Sequence, residues 1–343
     1  MTARALDPSK LRLAWVAVGL LSVALGLRYI ATEPLIFEPG GWFALDGRRV
    51  LEAAQAWRDG QSPYSIEGFL YSPVAVVLAV PLTYVSAPLV ILGWIATSAV
   101  WAATLTVRQL RATPAWARAL AVAAVLLFIP TIADLVLANV TVALVCAAAV
   151  AIRGGTIASG ILLGIAVAAF PKPMAFPLLI WLAVWRPRAA LGAVLAAVVS
   201  VAASIVVGGI GWWEDFVAVL VSGGGLTMDF VGNYGLSQFI PALWPIGAVL
   251  AATTFVWCLI RRDETASLAA ASAAGVFVAP YAGIYAALPI LLALPSMAAS
   301  APVLALLVAS IGVVTAPWSP IVAAVVLAGA ATIFHDARAG EPP

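Results

Sequence analysis

Charge is what this chain has least of: Asp, Glu, Lys and Arg together make up 9% of its 343 residues. That is too little polar surface to cover a water-soluble globule of this size. Histidine is nearly absent as well. His335, the single one, stands close to the C-terminus, which excludes a histidine-built metal cluster and any histidine-dependent catalytic triad. The two cysteines, Cys146 and Cys258, both fall inside apolar stretches and read as free, buried thiols rather than a disulfide. The sequence also has no Walker A phosphate loop, HExxH, CxxC or dinucleotide fingerprint, so ATP-driven pumping and zinc proteolysis are not expected. Nucleic acid is not among the expected partners.

What is present is apolar: 64% of the residues are hydrophobic and the mean hydropathy is +1.10. Apolar stretches separated by short breaks with Arg, Gly or Pro recur from Leu11 to Phe334. In hydrocarbon the backbone must satisfy itself, and helices do so without closure. The expected fold is therefore all-α: a polytopic transmembrane helical bundle of about 11–13 spans, forming one integral membrane domain over residues 1–343. The first apolar segment lacks a small-residue cleavage site and reads as a retained signal anchor. The tail 335–343 reads as disordered.

Basic residues mark cytoplasmic loops. With the N-terminus inside, Arg4, Lys10 and Arg12 are cytoplasmic, as are Arg108, Arg111, Arg118, Arg153, Arg186, Arg188, Arg261, Arg262 and Arg338. Both termini then lie inside. Arg28, Arg48, Arg49, Arg58 and Lys172 depart from this pattern and fall at or near the outer face. Between Tyr71 and Val107, Pro81 and Pro88 point to a broken helix or a partly inserted hairpin.

Polar sequence is concentrated in two outer loops, about 32–70 and 211–238. In the first, DGRRVLEAAQAWRDG places Val50, Ala54 and Trp57 on one helical face, an interfacial amphipathic helix opened by Asp46 and closed by Gly60. Asp46 is either the N-cap of that helix or a functional carboxylate. Tyr64 and Tyr71 follow in SPYSIEGFLYSP, at headgroup level. The second loop mixes acids, amides, aromatics and glycines, and its Trp212 and Trp213 either form an interfacial belt or line a polar cavity. Asp134 and Asn139 lie in IADLVLANVTVAL, where Asn139 opens either a glycosylation sequon or, more simply, a helix with a polar cap. Lys172, between two prolines, either snorkels to headgroups or holds an anionic ligand.

The order of these features resembles glycosyltransferase family 87, the DUF2029 group of polyprenyl-phosphate-sugar-dependent enzymes with the multi-spanning GT-C architecture. One N-terminal span is followed by an acid, Asp46, then by a helix ending in AWRDGQSPY, then by an aromatic-Pro start of the next span, LYSP. Further on, LANVTVAL is similar to the family's G-Q-x-N span start, with Asn139 at the Gln position and Thr141 at the Asn position. FPKPMAFPLL resembles its Lys-x-x-Pro region through Lys172, and GNYGLSQF its N-x-S-L segment through Asn233 and Ser237. APYAGIYAALP carries Tyr281 and Tyr285 where the family often has histidines.

The resemblance implies transfer of a hexose or pentose, mannose or arabinose, from a polyprenyl-phosphate donor to a hydroxyl of a cell-envelope glycan or glycolipid, with inversion. It makes Asp46 the general base and Lys172, Arg48 and Arg49 the contacts to the donor phosphate. Tyr64, Tyr71, Asn139, Asn233, Gln238, Tyr281 and Tyr285 become the sugar- or acceptor-binding residues. The implied setting is the outer face of a bacterial plasma membrane. No cofactor is required; a divalent cation held by Asp46 with Glu214, Asp215 or Asp229 is compatible with the sequence but not demanded by its spacing. A lipid-sugar flippase would share the composition but places its polar groups near the midplane, whereas here they cluster at the outer edge. A catalytically inactive family member is the third reading.

Overall fold

A computed structural model of the chain describes residues 8–33, 43–222, 235–279 and 282–315, together with 321, 324 and 326. Every regular element among them is helical. In chain order the α-helices are α1 (Pro8–Thr32), α2 (Leu45–Arg58), α3 (Pro73–Ala79), α4 (Ala87–Gln109), α5 (Ala115–Leu126), α6 (Ile129–Val136), α7 (Thr141–Gly154) and α8 (Ile157–Ala169). Then follow α9 (Ala175–Trp185), α10 (Pro187–Gly208), α11 (Gly211–Val221), α12 (Leu236–Phe239), α13 (Trp244–Ile260), α14 (Glu264–Val278), α15 (Ile290–Ser300) and α16 (Pro302–Val314).

Four segments are long and apolar enough to cross a bilayer: α1, α4, α10, and α13 with the 3-10 turn before it. A fifth is the pair α5 and α6, bent by 58° where Pro130, near the start of α6, cannot continue the hydrogen-bond ladder. The remaining apolar helices have 10–17 residues. Prolines and glycines cut these apolar stretches into shorter pieces. The protein is a multi-pass helical membrane protein. In the Tyr71 to Val107 stretch, α3 runs into a 3-10 turn at Val80–Tyr84, and α4 restarts with Pro88 in its first turn. The break expected from the two prolines is there.

Helix contacts depend on small residues, as expected where lipid supplies no hydrophobic drive for association. Gly160 and Gly164 on α8 face the backbone of Ala189 and Ala193 on α10, and Gly192 on α10 faces the carbonyl of Ile157. A side chain at any of the three would run into main chain, so this seam is backbone against backbone. α14 is buried along almost its whole length, from Ala266 to Phe277. Its sequence, ETASLAAASAAGVFV, is alanine-rich, and Gly275 lies against the backbone of Met174. Asp263 caps it by accepting from the Ala266 amide at 2.8 Å. Cys146 and Cys258 are free and buried, as the sequence indicated.

Candidate active site

α2 begins at an unusual junction. Ala44, just before it, and Ala138, in the turn after α6, both adopt left-handed backbone with φ of 56° and 50°. Such conformations cost a residue with a Cβ about 1–2 kcal/mol, so surrounding contacts must hold them. They do: the amide of Ala44 donates to the Val136 carbonyl at 2.6 Å, and the amides of Asp46 and Gly47 donate to the Leu137 carbonyl at 3.1 and 3.3 Å. The orphan donors of α2 thereby meet the orphan acceptors of α6. Gly47 has no room for a side chain, because a Cβ there would press on the Ala138 methyl.

This docking carries the Asp46 carboxylate to Asn139. Asn139 Nδ2 donates to Asp46 Oδ2 at 2.6 Å, while Asn139 Oδ1 accepts from the Val140 amide at 2.6 Å. Trp94 on α4 fixes the same residue by donating from Nε1 to the Asn139 carbonyl at 2.9 Å. Asp46 is therefore not a cap. The N-cap position of α2 is Ala44, whose side chain offers nothing, and the carboxylate crosses to another element instead. Nor does Asn139 cap α7. That role belongs to Asp134, fully buried, whose Oδ1 and Oδ2 accept from the amides of Thr141 and Val142 at 3.1 and 2.8 Å. Asp134 is the structural residue that sequence reasoning left without a role; the signal was an acid seven residues upstream of the helix, beyond the usual capping position.

Lys172 comes to the same place from the turn between α8 and α9. Its ammonium lies 4.4 Å from the centroid of the Tyr285 ring, and it interacts electrostatically with Asp46 and Asp134. Among the described residues it has no ion pair within 4 Å and no side-chain hydrogen bond. Burial draws the Lys172 ammonium below the ordinary lysine range, against the pull of the two acids. Burial likewise raises Asp46 above the ordinary carboxylate range, with Lys172, the Asn139 amide and Arg49 pulling the other way without cancelling it. Arg49 sits one turn along α2, its guanidinium over Gly68, which has a φ of 71° and could not carry a side chain there. Arg48 is half-buried on the same helix.

The other expected site residues are distributed differently. Tyr64 and Tyr71 belong to an aromatic layer beneath α2: Tyr64 Oη donates to the Tyr71 carbonyl at 3.0 Å, its ring packs on Phe69 and Phe216, and Tyr71 meets Phe69 and Phe170 edge-on. Burial, with Asp215 nearby, raises the Tyr64 phenol well above its ordinary value, which suits a hydroxyl kept as a donor. Gln238 is exposed on α12. Asn233 and Tyr281 lie outside the described residues.

The cation site built from Asp46 with Glu214 or Asp215 does not form. Ser62 Oγ donates to Asp215 Oδ2 at 3.0 Å beyond the C-terminal end of α2. Asp46 stands at the other end of that 14-residue helix, about 20 Å away at 1.5 Å per residue. Asp229 is outside the described residues, and among those described no three acids, cysteines or histidines converge as a metal site.

Trp212 and Trp213 are half-buried, and each meets a partner from the protein. Trp213 Nε1 donates to Ser204 Oγ at 3.1 Å, and Trp212 meets Trp57 edge-on with centroids 5.6 Å apart.

Comparison with curated proteins and with solved structures finds no match. A family-level comparison does: the profile of Glycosyltransferase family 87 matches residues 69–295. That span takes in Asn139, Lys172 and Tyr285 and leaves Asp46 upstream of it. The match covers well over half of the chain, which belongs to glycosyltransferase family 87.

Proposed function

We propose that this membrane glycosyltransferase moves a hexose or pentose, mannose or arabinose, from a polyprenyl-phosphate donor to a hydroxyl of an envelope glycan or glycolipid, with inversion and with Asp46 as general base. The observation that carries the reading is the convergence of Asp46, Asn139 and Lys172, from three distant parts of the chain, on one junction of helix ends. The working surface is the extracytoplasmic face of a bacterial plasma membrane.

The chemistry follows from which oxygen is occupied. Asn139 holds Oδ2 of Asp46, which leaves Oδ1 to take the proton of the acceptor hydroxyl. As that proton moves to Asp46, the acceptor oxygen attacks the anomeric carbon. The bond from that carbon to the phosphate oxygen breaks, and its electron pair leaves on the lipid phosphate. A raised carboxylate pKa favours this transfer, because a base closer to the working pH is a stronger one. Lys172 faces the growing negative charge as a cation without an acid within ion-pair reach among the described residues. Arg48 and Arg49 add positive charge from the next turn of α2. Tyr285, beneath Lys172, orients the ammonium, and Tyr71 borders the site through Phe170, two residues before Lys172.

The test is transfer of labelled sugar from polyprenyl-phosphate donors to a membrane glycan extract by purified protein and by Asp46→Asn, after matching their folds by circular dichroism. Losing the base should lower transfer by about 10²–10⁴-fold. Donor binding with no transfer by the unmodified protein would make it a carrier or an inactive relative.

A further inference from the structure

At the far end of α2 the structure holds a second feature that the transfer chemistry does not use. α2 closes at Gly60, where the Gly60 and Gln61 amides donate to the Trp57 and Ala56 carbonyls at 2.9 Å each. Just past this cap is a cleft of about 430 Å³, lined on one side by the edge-on pair of Trp57 and Trp212 indoles and edged by Gln61, Ser62, Glu214 and Asp215. Ser62 and Asp215 hold each other across it. Gln61 and Glu214 have no side-chain partner among the described residues, so an amide and a carboxylate face the opening unengaged.

The lining selects its ligand. Indole surfaces offer an apolar face with a polar edge. Amide, hydroxyl and carboxylate groups around them accept and donate to hydroxyls. No lysine or arginine lines the cleft and two acids do, so a phosphate or an anionic headgroup is repelled. A neutral sugar ring, apolar on its C–H face and ringed by hydroxyls, fits this chemistry.

We infer that the cleft beside the Trp57–Trp212 pair binds a sugar residue of the acceptor about 20 Å from Asp46, measured along the 14-residue α2, and that the acceptor is consequently an oligosaccharide rather than a single sugar. The inference rests on the transferase reading above. One ring cannot touch both ends of α2; a chain of several linked sugars can, with its growing end at Asp46 and an inner residue against the tryptophans. The cleft then measures acceptor length.

The experiment is isothermal titration calorimetry on Asp46→Asn protein in lipid nanodiscs, with disaccharides and hexasaccharides of manno-, gluco- and arabino-series as probes. In at least one series the hexasaccharide should bind about tenfold more tightly than the disaccharide. Trp212→Ala and, independently, the exposed-site change Gln61→Ala should shrink that difference while leaving disaccharide binding alone. Equal binding of short and long probes in every series overturns the inference, as does a length preference that survives both substitutions. Length-dependent binding by a protein whose unmodified form transfers no sugar would remove Asp46 as base and leave the glycan cleft in place.

Discussion

Helix α9 carries a cation over an aromatic ring at each of its ends, and the two are treated in opposite ways. Past its C-terminus, Arg186 lies 5.6 Å from the Trp181 ring centroid. It is ion-paired with Glu264 and donates to the carbonyls of Ile152 and Trp185 at 2.9 Å each. Trp181 and Trp185 both donate to Ser267 Oγ at 3.1 Å, closing the cluster. Before its N-terminus, Lys172 has the Tyr285 ring and two acids within electrostatic range, but no direct ion pair among the described residues. A saturated cluster is a fastening. An unsaturated one, kept half-buried at a cost, is where an anion gains most by arriving.

The comparison breaks most visibly if the two cations are removed in turn. Lys172→Met should lower transfer by about 10²–10³-fold, the scale for deleting one electrostatic contact to a developing negative charge, with the protein still folded by circular dichroism. An unchanged rate would make Lys172 a fastening like Arg186.

The pH profile of kcat/KM sharpens the same contrast. As the proposed base, Asp46 has to be deprotonated, and burial raises its pKa, so the rate should fall about tenfold per unit as pH drops through a value above the ordinary carboxylate range. As the proposed phosphate contact, Lys172 has to be charged, and burial lowers its pKa, so a second limb should fall at alkaline pH below the ordinary lysine range. In Lys172→Met the alkaline limb should vanish. The acid limb should move to higher pH, because Lys172 is one of the groups drawing Asp46 down. An acid limb that stays put would separate the two residues.

Smaller effects probe the supports. Trp94→Phe removes the donor to the Asn139 carbonyl and should cost about 0.5–1.5 kcal/mol in thermal or denaturant unfolding, with a modest loss of rate as Asn139 loosens. Arg186→Met should cost no more than about 1 kcal/mol from its ion pair, since both side chains are partly exposed, and should leave kcat unchanged. A fall in kcat there would mean that the two ends of α9 communicate.

Much of this arrangement is legible in the sequence. Composition dictates the all-α membrane fold, and the alternation in DGRRVLEAAQAWRDG, with glycine at its end, marks α2 from Asp46 to its cap. Where prolines and glycines break the apolar stretches, as at α3 and α4 or α5 and α6, the helix boundaries are set by those residues and follow from them. Helix-end contacts were hidden. That Asp46 reaches Asn139 depends on the left-handed turns at Ala44 and Ala138, and alanine gives no hint of positive φ. Asp134 escaped because it caps α7 through a folded turn rather than from the adjacent position. Glu214 and Asp215 fall in a polar stretch of sequence that reads as a loop, yet they stand on α11, and α2 acts as a spacer that keeps them from Asp46.

The seam between α8 and α10 bears on how such an enzyme can diversify. Where Gly160, Gly164 and Gly192 let two backbones touch, there are no rotamers to rearrange, so a larger residue has no compensating neighbour. New specificities would then have to arise at the turns on the rim of the bundle, while the helices that hold those turns stay fixed through the divergence.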